Sequence, residues 1–264
     1  FFIFVTILAK YYTLMSKRLL FTLLILLSYS YINAQYYRSY QEVGIMAGPV
    51  FFQGDYGERG DTENFIKNNG YTIGGFYYLS FIENYRNLRE NFKIRLEASF
   101  MKSELEHYGK YVAPEKTSVM AQQLRAMSGS TQTASIGFQI EFYPFKLDDY
   151  TRADFSPYIS FGGHFGSYVS EVNSSLGPLG TPLTTPDKYL DGFKNDSGTV
   201  GSLTGSIGAR YKLSPYHALV ADIRTQYYFS DWVDGLNPNK SIYKENKAND
   251  YSFALTFGYV YYFN

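Results

Sequence analysis

The sequence predicts an all-β fold, an eight-stranded antiparallel transmembrane β-barrel with long extracellular loops and one short loop helix. Three observations carry this. The last fifteen residues place Tyr251, Phe253, Leu255, Phe257, Tyr259, Tyr261 and Phe263 at every second position, the period of a strand with one wholly apolar face. Seven further segments alternate in the same way. The connections between them alternate between long and short, as in outer-membrane barrels.

The first strand is expected over Gln41 to Phe52, with Val43, Ile45 and Ala47 outward, and the second over Gly70 to Ile82. The third, Asn91 to Met101, sets Phe92, Ile94, Leu96, Ala98 and Phe100 against Lys93, Arg95, Glu97 and Ser99. The fourth spans Thr133 to Tyr143, the fifth Pro157 to Glu171, the sixth Val200 to Leu213 and the seventh His217 to Phe229. The closing segment, Asp250 to Asn264, makes the number even, so the sheet can close and satisfy every backbone group in lipid. Long connections follow the first, third, fifth and seventh strands, and only Ser214, Pro215 and Tyr216 join the sixth to the seventh. Both termini then lie on the periplasmic side.

Composition agrees with this architecture. Aromatic residues make up 19% of the 264 residues, with 28 Tyr, 22 Phe, one Trp and no Cys. Tyr at that level suits interface girdles, because its ring has a polar tip. Without Cys there are no disulfides and no thiolate metal sites.

Met15-Ser16-Lys17-Arg18, the apolar run Leu19 to Leu27 and Ile32-Asn33-Ala34 before Gln35 read as a secretory signal peptide over 15–34. Residues 1–14 read as an upstream translated extension, the rival being a longer signal anchor that includes Phe1 to Ala9. The barrel then occupies 35–264. Cutting at Ala34 removes Lys10, Lys17 and Arg18 from 24 basic residues, leaving 21 against 24 acidic, a net charge of −3. That is no footprint for nucleic acid.

Eight strands enclose a lumen that side chains can fill. The inward positions carry Glu42, Lys93, Arg95, Glu97, Glu141, His164, Arg210, Lys212, Asp222 and Arg224. Their opposite signs can pair and plug the barrel. Gly44, Gly48, Gly74, Gly137, Gly162, Gly166 and Gly208 are also inward, and relief of crowding explains them better than a tunnel.

Candidate chemistry is sparse. His107, His164 and His217 have no sequence-visible nucleophile and orienting acid beside them, so no triad is indicated. Gly201, Gly205 and Gly208 have the wrong spacing and setting for a dinucleotide fingerprint. No catalytic residue and no cofactor are therefore assigned. Asp231, Asp234, Asn237 and Asn239 could offer oxygen ligands to Ca²⁺, but miss the EF-hand spacing and are also turn formers. Trp232 is expected to anchor that loop at the membrane interface. Pro114, Met120, Ala121, Leu124 and Met127 mark a short helix in the second long loop, expected to cap the barrel. The Gly177 to Pro186 segment could pack beside it.

Glu42 to Val50, Gln122 to Ser130, Ser175 to Pro186 and Trp232 to Asn249 resemble an uncharacterised outer-membrane β-barrel family of flavobacteria (Bacteroidetes). The resemblance implies the barrel and its compartment, and brings no catalytic residues. More distantly, Glu42 to Asp55 is similar to the barrel subunit of the gliding and type IX secretion apparatus. Two readings of function follow. One is a porin-like barrel with a filled lumen, held by outer-membrane lipid and anchoring a periplasmic or surface complex through a protein partner. The other is a small-ligand-binding or transport barrel using the loop-covered mouth.

Overall fold

The computed structural model describes residues 38–82, 91–145, 155–244 and 248–263. The expected leader, its cleavage position and the upstream extension lie outside them.

Eight antiparallel strands close into a barrel in chain order. They are β1 (Arg38–Gln53), β2 (Asn69–Ile82), β3 (Phe92–Glu106), β4 (Met127–Phe142), β5 (Phe155–Ser174), β6 (Asp196–Ser214), β7 (His217–Tyr228) and β8 (Tyr251–Phe263). Closure is made by β1 and β8, with Val43 opposite Tyr261 and Ala47 opposite Phe257.

Period-two alternation sets the faces. Ile45, Ile73, Leu96, Ile136, Phe161, Ile207, Ile223 and Phe257, one from each strand in turn, all point outward and are exposed. Ile136 is 68% exposed and Phe257 66%, an unusual position for side chains of this size in water. Aromatic pairs flank this belt: Phe92 with Phe142 (5.1 Å between centroids) toward the turn end, Tyr71 with Phe100 (6.2 Å) toward the loop end.

The strands run beyond the segments that alternate in the expected sense, and β3 shows why. Below Met101 the outward residues are Phe92, Ile94, Leu96, Ala98 and Phe100, and the inward ones are Lys93, Arg95 and Glu97. Above it the outward residues are Lys102, Glu104 and Glu106, and Met101 and Leu105 are buried inside. The faces keep their parity while their polarity reverses. On β4 the outward residues Ser128, Ser130 and Gln132 likewise continue the wall, opposite buried Met127. The loop-side third of the barrel is thus built as a water-soluble protein is, with its core inside.

Among the described residues two α-helices lie in the loops where one was expected. The additional one, α1 (Thr62–Lys67), is capped by Asp61, whose carboxylate accepts from the Glu63 and Asn64 amides. It escapes the pattern because a six-residue helix is less than two turns long. Its Phe65 rests on Phe51 of β1 and Phe253 of β8 at 5.7 and 6.1 Å. The expected helix is α2 (Val119–Ala126), capped by Ser118; Met127 already begins β4.

Gly258 is inward but has no room to spare. An added Cβ would lie 2.5 Å from the Ile45 carbonyl oxygen and 2.8 Å from Val220. The inward glycines of the lumen are likewise filled against: Phe76 packs on Gly44, His164 on Gly137 and Tyr158 on Gly208.

Candidate functional site

The ten charged or titratable residues expected in the lumen are all buried. Eight of them form one connected set of ion pairs. Glu42 binds both Lys93 and Arg210. Arg210 approaches Glu141 at 3.7 Å, and Arg95 reaches Glu141 at 3.0 Å, Glu97 at 3.3 Å and Asp222 at 3.4 Å. Arg224 pairs with Glu97 and lies 3.4 Å from Asp222. Four acids thus face four bases. Lys212 sits over the Tyr262 ring at 5.5 Å, and His164 hydrogen-bonds Thr204 at 2.9 Å.

Hydroxyls add donors to two of these carboxylates, and the Gln139 amide donates to Glu97 at 3.1 Å. Tyr78 and Tyr143 donate to Glu141, while Tyr158 and Thr256 donate to Asp222. Satisfying these groups matters because an unpaired charge in such a place is costly. A void between Thr72, Thr133, Arg224 and Gln226 measures about 10 Å³, room for one water at most.

The loop end is sealed separately. Val233 and Leu236, from the connection after β7, are fully buried among Val50, Phe52, Tyr56, Leu105, Met127, Val172 and Tyr228. Trp232 packs against this apolar core, so it is not the outward anchor expected of it; its indole N–H donates to Asn237 at 3.0 Å. The 177–186 segment does lie beside α2, where the Gln123 amide donates to the Pro182 carbonyl at 2.8 Å.

The four oxygen-bearing candidates in the last long loop do not converge. Asp234 accepts from the Asp55 and Leu236 amides. Asn237 donates to Asp231, and Asn239 turns to Ser241 on an exposed bend. Among the described residues no three His, Asp or Glu are placed to hold a metal. Asp231 and Asp234 belong instead to a buried acidic cluster with Asp55 and Asp250, organised around Arg59. Its guanidinium lies 3.2 Å from Asp55, 3.6 Å from Asp231 and 3.7 Å from Asp250. Asp250 also accepts from the Val233 and Asp234 amides at 3.0 and 3.2 Å. Burial, reinforced by the neighbouring acids, pushes the Asp234 and Asp250 carboxyls well above the usual range. Asp55, Arg59 and Asp250 gave no sequence signal for this cluster. They come from the ends of two strands and a loop, brought together only by closure.

Beside the cluster, a cleft of about 780 Å³ opens between α2, the loop end of β3 and the 3₁₀ turn Asp187–Tyr189. His107, Ala121, Leu124 and Tyr189 form its buried floor; Tyr111, Lys116 and Met120 stand at its exposed rim. Here His107, isolated in the sequence, gains a defined setting. Its Nδ1 accepts from the Gly57 amide at 2.8 Å, which leaves the ring proton on Nε2. Burial, and then the nearby Lys188 ammonium, pushes its pKa down to about 3. His217, by contrast, hydrogen-bonds Tyr259 at the turn rim.

A family model described as a domain of unknown function, DUF6089, matches residues 17–177. Among solved structures the chain is similar to Ail, the attachment invasion locus protein of Yersinia pestis, at 13% identity over 85% of this chain and 99% of that one, TM-score 0.42. It is also similar to a major outer membrane protein from Thermus thermophilus (17% identity, 86% and 100% covered, TM-score 0.46) and to Neisserial surface protein A (14%, 84% and 97%, 0.40). No curated protein matches significantly.

Proposed function

The chain belongs to the DUF6089 family of domains of unknown function, and from that premise we propose that it is a bacterial outer-membrane barrel with a filled lumen that anchors a protein complex. The single observation that carries the reading is the polarity reversal on β3. Apolar residues face outward up to Phe100, and charged ones, Lys102, Glu104 and Glu106, face outward beyond it. A wall that is apolar on the outside and charged within fits hydrocarbon; the same wall with its core inside fits water. The level of Phe100 and Met101 is then the outer edge of the bilayer, the loops face outward, and the turn end with both described termini faces the periplasm.

Ion pairs reaching across the lumen, and a loop end closed by Val233 and Leu236, favour an anchor over a conduit. The partner of such an anchor would be a protein assembly on the periplasmic or the surface side. The test is purification from native membranes with parallel recording in planar bilayers. One stoichiometric protein partner with no conductance is expected. Recovery of the barrel alone together with steady single-channel currents would overturn the reading.

The second reading, a barrel that binds a small ligand at its loop-covered mouth, is favoured by the His107 cleft.

A further inference from the structure

Helix α1 lies where the wall of the barrel meets the loops, and its faces are sorted by polarity. Successive residues turn by about 100° around a helix, so neighbours in sequence face different sides. Asn64 is turned inward and fully buried, and its side-chain amide donates to the Tyr56 carbonyl at 2.6 Å. One turn on, Asn68 accepts from the Glu106 amide at 2.8 Å through its side chain. Its backbone carbonyl accepts from the Phe52 amide at 2.8 Å. These bonds fasten the helix to the loop ends of β1 and β3.

Phe65 faces the outside of the wall. The two rings beneath it, Phe51 and Phe253, stand opposite each other in the sheet and share the outward parity of Ile45 and Phe257. The helix thus adds to the apolar belt at its loop edge. Ile66 stands about 200° around from the buried Asn64, and so on the side away from the barrel, where it is 53% exposed. Glu63 and Lys67 each lie about 200° from Phe65. They pair at 2.7 Å on the face turned away from the belt, and both are exposed. Apolar residues toward the belt and charged ones turned from it are the layout of a helix lying in a membrane interface.

We propose that α1 is a foot that seats the loop end of the barrel on the outer surface of the bilayer. Phe65 and Ile66 enter the edge of the acyl-chain layer, while Glu63 and Lys67 stay among the headgroups. The occupant of this surface is lipid, because the face joins directly onto the outward belt and carries no charge of its own. The proposal rests on the membrane reading of that belt and is tested apart from it. Fastened through Asn64 and Asn68 to a helix resting on lipid, the loop end is held at a fixed height above the membrane.

The chain has no Cys, so a spin label can be attached at one chosen position at a time. Four variants of the full barrel, Ile66→Cys, Glu63→Cys, Ile207→Cys and Leu183→Cys, are labelled and reconstituted in phosphatidylcholine vesicles. Heat modification on gels checks that each is folded. Ile207, 69% exposed on β6, reports on the belt, and Leu183, 82% exposed after β5, reports on a bare loop surface. Ile136→Cys on β4 takes the place of Ile207→Cys should that variant misfold. Collision with oxygen, which gathers in hydrocarbon, is compared with collision with a water-soluble nickel chelate. Oxygen should dominate at Ile66 and Ile207, with Ile66 about 5–10 Å into the headgroup and acyl boundary. Nickel should dominate at Glu63 and Leu183. Nickel dominant at Ile66 with oxygen dominant at Ile207 would overturn the foot and leave the membrane reading standing. Shielding of Ile66 from both reagents would mean that a second copy of the chain covers it, and would overturn the foot as well. Oxygen dominant at Glu63 or Leu183 would show that lipid access does not follow the apolar face, with the same consequence. Nickel dominant at the belt site would overturn the membrane reading and the foot together.

Discussion

Arg224 of β7 and Glu97 of β3 form an ion pair between strands four places apart in an eight-stranded barrel, and so between opposite walls. Arg95 and Asp222 bridge the same two strands at 3.4 Å. Side chains from opposite walls thus meet across the width of the lumen. Charge pairs join the walls at its middle, and apolar side chains pack together at its loop end.

Arg224→Met tests the first of these. Its partners Glu97 and Asp222 would remain buried with one cation fewer. Breaking a buried pair from one side costs about 3–5 kcal/mol. A lower heat-modification temperature on gels is expected, with no conductance in planar bilayers. The double variant Arg224→Met with Glu97→Gln should recover part of the loss, because it removes the stranded charge as well. Conductance appearing at an unchanged melting temperature would show that the pair gates a channel.

The outward belt makes a separate prediction. Phe257 is exposed in mid-strand, opposite Ala47 of β1 and Ala221 of β7. Phe257→Arg should cost about 2–4 kcal/mol of folding stability in lipid vesicles, the penalty for a cation near the bilayer centre. Phe257→Leu should cost much less. Equal urea midpoints for the two would mean that this face does not meet hydrocarbon.

Gly258→Ser, one residue further on, looks mild from the sequence alone, where an inward glycine suggests spare volume. The structure predicts a larger effect than that of Phe257→Leu, because the added Cβ meets the Ile45 carbonyl as well as Val220. A backbone atom cannot step aside as a side chain can. Refolding yield of the two variants side by side decides this; equal yields would count against the tight packing of β8 on β1.

Strand number, order, faces and the inward charges were all legible, because each strand alternates with a period of two and lipid makes the outward residues conspicuous. Legibility ended where the environment changed. On β4, Met127 to Gln132 does not read as barrel strand, since its outward residues turn polar above Thr133. The pairing of Arg224 with Glu97 could not be foreseen either, because alternation gives direction and says nothing of register. Trp232 was misplaced for a related reason. An aromatic residue beside an expected interface looks like an anchor until Val233 and Leu236 are seen to carry the loop inward.

The acidic cluster at the loop end sets the final prediction. Asp234 and Asp250 have folded-state values raised above those of the unfolded chain, so the folded state holds their protons more tightly. That contribution is complete below the unfolded value, near about 3.9, and is lost as pH rises through the folded values. The cap should therefore loosen toward alkaline pH. The amides of Val233 and Asp234, both donating to Asp250, report on it directly. Their hydrogen-exchange protection, corrected for intrinsic rates, should fall as pH rises above the unfolded carboxyl value and through the folded ones. Asp250→Asn should flatten the slope and leave the cap better protected at the upper end. Two effects compete here. Burial among like charges favours the neutral acid, while Arg59 at 3.7 Å and two amide donors favour the carboxylate. Arg59, with Lys240 at 3.0 Å from Asp231 as a second cation, cannot neutralise Asp55, Asp231, Asp234 and Asp250 together, which is why the first effect prevails. Protection that rises with pH would show that Arg59 wins instead.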